Sequence, residues 1–117
     1  MNIMAIYESN EQVIESILSV YRHMDVQSLS KKYASNACFY SSVPNGVGCA
    51  IGCLIDEETA RRWDDIGGMI DEAALEDPDG YAKWFGPEVD VEFLCDVQFD
   101  HDDAMSVEHF LDELEKY

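Results

Sequence analysis

Two sets of residues in this chain have types and spacings that could do chemistry. Cys49 and Cys53, four apart, would share one face of a helix, while Cys95 and His101 lie together on a later predicted helix. Brought together, these four would offer zinc a Cys₃His donor set, although their spacing matches neither a ribbon nor a finger. Cys49 or Cys53 with His101 and Asp102 would instead form a Cys-His-Asp nucleophilic grouping. That grouping needs a thiolate, and an acidic surround raises a thiol pKa rather than lowering it. Asp100, Asp102 and Asp103 could meet Mg²⁺ or Ca²⁺, but without the glycine and terminal glutamate of an EF-hand loop. The plainer readings are structural. Small cysteines among apolar neighbours pack as core, and an imidazole near a helix C-terminus is favoured by the dipole. No phosphate-cradling glycine loop, serine elbow or basic patch is present. The expectation is therefore no catalytic residue, no metal and no cofactor.

The second set is the carboxylates. The formal net charge is −18, and it is unevenly held: residues 1–55 carry four acids against three bases, whereas residues 56–117 carry 21 acids against Arg61, Arg62, Lys83 and Lys116. Such a balance repels nucleic acid and anionic membrane and favours basic partners with fast, salt-sensitive association. Solubility alone is the bland alternative. Glu88, Glu92, Asp96, Asp100 and Asp103 recur along residues 88–103, where each i,i+4 pair of like charges costs a helix about 0.2–0.5 kcal/mol. A merely solvated face needs no such row. With Glu108 and Asp112 of the last helix, these are the candidate partner-binding residues.

The elements that must position these groups follow from periodicity and punctuation. Val13, Ile14, Ile17, Leu18 and Tyr21 follow Ser9-Asn10 at helical spacing, which predicts a helix over 10–23. Gln27 to Tyr33 reads as a shorter second helix. Pro44-Asn45-Gly46 is turn chemistry after the extended-looking Cys38 to Ser42, so a small β-hairpin is expected there. Cys49 to Ile55 fits a strand or a short buried helix equally, and its small residues would let another backbone approach closely. Asp56 to Trp63 reads as a helix with acids first and bases last, broken at Gly67-Gly68. Met69 to Leu75 gives one or two turns, Glu76 to Gly80 reads as a plain loop, and Tyr81 to Phe85 is an aromatic anchor. Gly86-Pro87 should start an amphipathic helix over 88–103, with Phe93, Leu94, Val97 and His101 inward. Ser106 then caps a final helix whose Val107, Phe110, Leu111 and Leu114 face the core.

The fold expected is mainly α (α+β): a single acidic globular domain over 1–117, with about five helices and a small β-hairpin. At 117 residues it can bury about two-thirds of the surface its unfolded chain exposes. The opening residues do not make a signal peptide and no run is long enough to span a bilayer, so reduced thiols and a cytoplasmic location are expected.

Cys49-Ala-Ile-Gly-Cys-Leu-Ile55 and Phe93-Leu-Cys-Asp-Val-Gln-Phe-Asp-His-Asp102 together resemble a family of small, mostly uncharacterised tailed-bacteriophage proteins. Its pattern is a Cys-Ala-(Ile/Val)-Gly-Cys-Leu-Ile run after a glycine-containing turn, followed later by Leu-Gln-x-x-His-Asp. Here Gln98, His101 and Asp102 match, Val97 stands where leucine is usual, and the acid load departs from the pattern. The resemblance implies a phage accessory product acting in the host cytoplasm and names no activity. Taken with the acid load, it leads to an expected role as an inhibitor of a host defence system, anti-CRISPR or anti-restriction. Such an inhibitor would occupy the nucleic-acid-binding surface of a basic host protein in the manner of a DNA mimic, without itself binding nucleic acid or membrane. A small Cys/His-dependent enzyme or metal-binding protein, and a phage regulatory or structural factor, are the alternatives.

Overall fold

A computed structural model describes residues 5–23, 40–41 and 48–117 of the chain. Among them are six α-helices and one 3-10 turn: α1 (Asn10–His23), the turn Gly52–Leu54, α2 (Glu57–Ile66), α3 (Ile70–Glu76), α4 (Pro78–Trp84), α5 (Val91–Asp103) and α6 (Val107–Leu114). No strand occurs among the described residues, where the extended backbone pairs in an isolated parallel bridge between Tyr7 and Phe85. The mainly helical expectation holds. The second helix at Gln27–Tyr33 and the hairpin turn at Pro44–Gly46 lie outside the described residues.

Helices α1, α2 and α6 start where a side chain satisfies free N–H groups. Ser9 Oγ accepts from the Gln12 N–H (3.2 Å), and Gln12 Oε1 reaches back to the Glu8 N–H (2.7 Å), a close relative of the capping box. Asp56 accepts from Thr59 (2.9 Å) at the head of α2, and Ser106 accepts from His109 (3.0 Å) at the head of α6. Helix α2 runs on to Ile66 and stops at Gly67, whose φ of 75° suits glycine. Arg61 and Arg62 are therefore mid-helix rather than in its last turn.

Two expectations need correcting. Residues 76–80 are not a plain loop: Asp77 caps α4 by accepting from the Gly80 N–H (3.3 Å), and Pro78, whose missing N–H costs nothing in a first turn, starts the helix. The acidic helix α5 starts at Val91, later than Gly86-Pro87 suggests. Gly86 is held by its N–H to the Tyr7 carbonyl (2.8 Å), and Val89 closes a turn onto the Gly86 carbonyl (3.0 Å). That leaves Asp90 as the N-cap residue, its N–H donating to Asn10 Oδ1 (3.1 Å) and so tying α5 to the start of α1.

The core lies where α5 packs on α3 and α6, while α1 packs on the 3-10 turn and α6. It is built by Val13, Ile17 and Tyr21 of α1, Ile51 and Leu54 around the 3-10 turn, and Trp63 of α2. Ile70 of α3, Trp84 and Phe85 at the end of α4, Leu94 and Val97 of α5, and Phe110 and Leu114 of α6 add to it. These follow the inward stripes that the spacing predicts, although Ile14, Leu18, Val107 and Leu111 at their edges are only half-buried. Phe93 is half-buried, covered edge-on by Tyr117 at 5.4 Å between ring centroids, and Gln98 takes a buried position instead.

Candidate functional site

The cysteine run forms the helical branch of its two readings, as a single 3-10 turn. Its glycines allow another backbone to come close: a Cβ at Gly52 would sit 2.0 Å from the Tyr40 carbonyl oxygen, and one at Gly48, with φ of 84°, 2.2 Å from the same atom. Across the core, Gln98 Nε2 donates to the Tyr40 hydroxyl (2.7 Å), and Gln98 Oε1 accepts from the Ile70 N–H (2.7 Å). Asp64 takes the Tyr40 N–H (2.6 Å) and the Ser41 N–H (3.2 Å). The two separated motifs of the sequence thus meet on one residue, Tyr40. Burial pushes its hydroxyl pKa far up, so it remains a neutral hydrogen-bonding group.

Cys49 and Cys53 sit in the same wall, whereas Cys95 lies half-buried on α5 beside Asp71. Cys49 is fully buried with its sulfur accepting from the Gly52 N–H (3.3 Å), and burial pushes its pKa from 9.0 up to about 12. Cys53 donates to the Ala50 carbonyl (3.2 Å), and burial carries its pKa well above 9.0, with Cys49 adding to the rise. Cys95 shifts upward for the same first reason. A nucleophilic cysteine needs the opposite, a depressed pKa. His101 is fully buried, its ring edge-on to Phe110 at 5.2 Å and its Nδ1 3.0 Å from an Asp102 oxygen. Among the described residues, no group of three or more His, Cys, Asp or Glu could hold a metal ion.

The candidate partner-binding carboxylates divide into distinct settings. Glu88 lies in the turn before α5, exposed. Glu92, Asp96 and Asp103 are exposed on α5 and, at 3.6 residues per turn, fall in a strip about 40° wide opposite Leu94, Val97 and His101. Asp100 sits to one side, accepting from the Tyr117 hydroxyl. Glu108 and Asp112 of α6 are exposed and line a shallow groove of about 410 Å³ with Arg22, Leu111 and Glu115, which none of the α5 carboxylates enters. The described bases are engaged elsewhere: Arg22 with Glu115, Arg61 with Glu57 (3.4 Å), Arg62 with Asp77 (2.9 Å), Lys116 with Glu113 (2.9 Å), and Lys83 over the Trp84 ring. Glu92, Asp96 and Asp103 pair with no base among the described residues.

Phe99 is a further member of this strip that hydrophobic patterning passes over. It falls in phase with the acids and stands 60% exposed. Its phase, out of step with Leu94 and Val97, was the available signal. Gln98 was legible in the same way, being four residues from Leu94 and three from His101. No family model, curated protein or solved structure matches this chain.

Proposed function

We propose that this chain is a non-enzymatic, acidic inhibitor: a phage accessory protein that occupies the nucleic-acid-binding surface of a basic host defence effector, a CRISPR complex or a restriction enzyme, in the manner of a DNA mimic. The observation that carries the reading is the α5 strip, where Glu92, Asp96 and Asp103 are exposed while the described bases are committed elsewhere. Such a strip opposes the helix that bears it, and a basic partner would relieve that repulsion. The phage assignment is supported by the resemblance of the Cys49–Ile55 run and of Gln98, His101 and Asp102.

Magnitudes limit the mimicry. The 13 residues of α5 span about 20 Å, over which a duplex carries about 12 phosphates. Glu92, Asp96, Asp100, Asp102 and Asp103 supply five charges on that length. One helix is too sparse to replace a duplex, so the carboxylates of α6 and of α2 to α4 must contribute.

The test is capture from a bacterial lysate at low and high salt, using the wild type and the triple variant Glu92→Gln, Asp96→Asn, Asp103→Asn, which spares the Asp100 bond to Tyr117. A nucleic-acid-handling protein retained at low salt, released at high salt and lost with the triple variant is the expected result. Equal retention by both proteins at both salts would remove the proposal.

A further inference from the structure

Two phenylalanines of α5 are treated differently. Phe93 is covered by Tyr117, whereas Phe99, one turn from Asp96 and from Asp103, projects 60% exposed from the acidic strip. Met105, just beyond the helix end, is 91% exposed. A solvated helical face is served as well by alanine, lysine or glutamate, all better helix formers than phenylalanine. An exposed aromatic inside a charged surround instead has the composition of an interface anchor with its polar rim.

The charge around Phe99 selects the occupant. A second copy docked on this face would set Glu92, Asp96 and Asp103 against their own counterparts. A nucleic acid or an anionic bilayer would meet a net charge of −18. A protein recess that is apolar at its floor and lined with lysine and arginine at its edge satisfies both features, and a guanidinium can also stack on the ring. We propose that Phe99 is the apolar anchor of the acidic strip, seated in a lysine- and arginine-rimmed apolar pocket on a protein partner. This rests on the reading of α5 as a partner surface and adds what a phosphate backbone lacks, an apolar contact that sets specificity.

The experiment uses two synthetic helical peptides of equal lysine content, one with leucines on the intervening face and one with glutamines, titrated into the full chain while backbone amide shifts are followed. The wild type should prefer the lysine–leucine peptide by about tenfold, the scale of a single interface anchor. Phe99→Ala should erase that preference without weakening the lysine–glutamine peptide, and Phe99→Tyr should keep it. Because Phe99 is mostly exposed, the urea midpoint should stay put in both variants. The carboxylate triple variant should weaken both peptides. A preference unchanged by Phe99→Ala, or none in the wild type, overturns the anchor. Undiminished binding of both peptides by the triple variant overturns the partner surface beneath it. A concentration-dependent dimer that Phe99→Ala abolishes in sedimentation overturns the assignment to a foreign protein.

Discussion

Gln98 shows how much one side chain can hold. Fully inside the core, it satisfies the Ile70 N–H at the start of α3 and the Tyr40 hydroxyl at once. Gln98→Ala strands the Ile70 N–H and leaves the Tyr40 hydroxyl only its longer bond to the Gly68 carbonyl (3.4 Å), and a buried donor left without a partner costs about 1–3 kcal/mol. The urea midpoint should fall accordingly with the slope unchanged; a midpoint within error of wild type would mean that water replaces the amide. Cys49 contributes to the alkaline pH dependence, with Cys53 and Tyr40 shifted in the same direction. Its folded pKa lies above its ordinary 9.0, so the folded state keeps a proton that the unfolded chain releases. Its contribution is therefore intact below pH 9 and is lost as pH rises toward about 12. Native protein should resist iodoacetamide at Cys49 at pH 8 and react after denaturation, as followed by peptide mass mapping; rapid native labelling would contradict a buried thiol. The helical phase of Gln98 was visible in the chain, but its partners were not, because Ile70 and Tyr40 are brought to it by tertiary packing.

At the scale of elements, the joint between α3 and α4 depends on Asp77. One carboxylate caps α4 and accepts from Trp63 Nε1 (3.0 Å) and Arg62 Nε (2.9 Å) on α2, and its pKa is lowered first by the Trp63 bond. Asp77→Ala should cost about 1–2 kcal/mol through the lost cap alone, and the unpartnered indole N–H adds to it. Thermal unfolding of Asp77→Ala against Asp77→Asn, which keeps a capping oxygen, separates these effects. Equal melting of Asp77→Ala and wild type would show the joint to be held elsewhere. Helices α1, α5 and α6 were legible because apolar residues recur at three and four and because Ser9 and Ser106 announce two of the starts. Asp77-Pro78 announced α4 too, yet seven residues rich in turn formers read more readily as a loop. The late start of α5 was not legible, since the Tyr7 backbone and Asn10, both distant in sequence, hold residues 86–90.

For the whole molecule, charge is the property that points outward. The separation of residues 56–117 from the near-neutral first half was plain in the sequence. That Glu92, Asp96 and Asp103 form one exposed strip while Glu108 and Asp112 line a different groove required the packing of α6 against α1 and α5. A single exposed pair is worth little, so binding by this surface needs the charges to act together and weakens as salt screens them. The most direct measurement is competition: the partner captured at low salt is loaded with a labelled DNA or RNA duplex and titrated with this protein at two ionic strengths. Displacement of the duplex that weakens as salt rises, and that is lost in the Glu92→Gln, Asp96→Asn, Asp103→Asn variant, is the predicted result. Simultaneous binding of duplex and protein, or displacement undiminished in the triple variant, would contradict it.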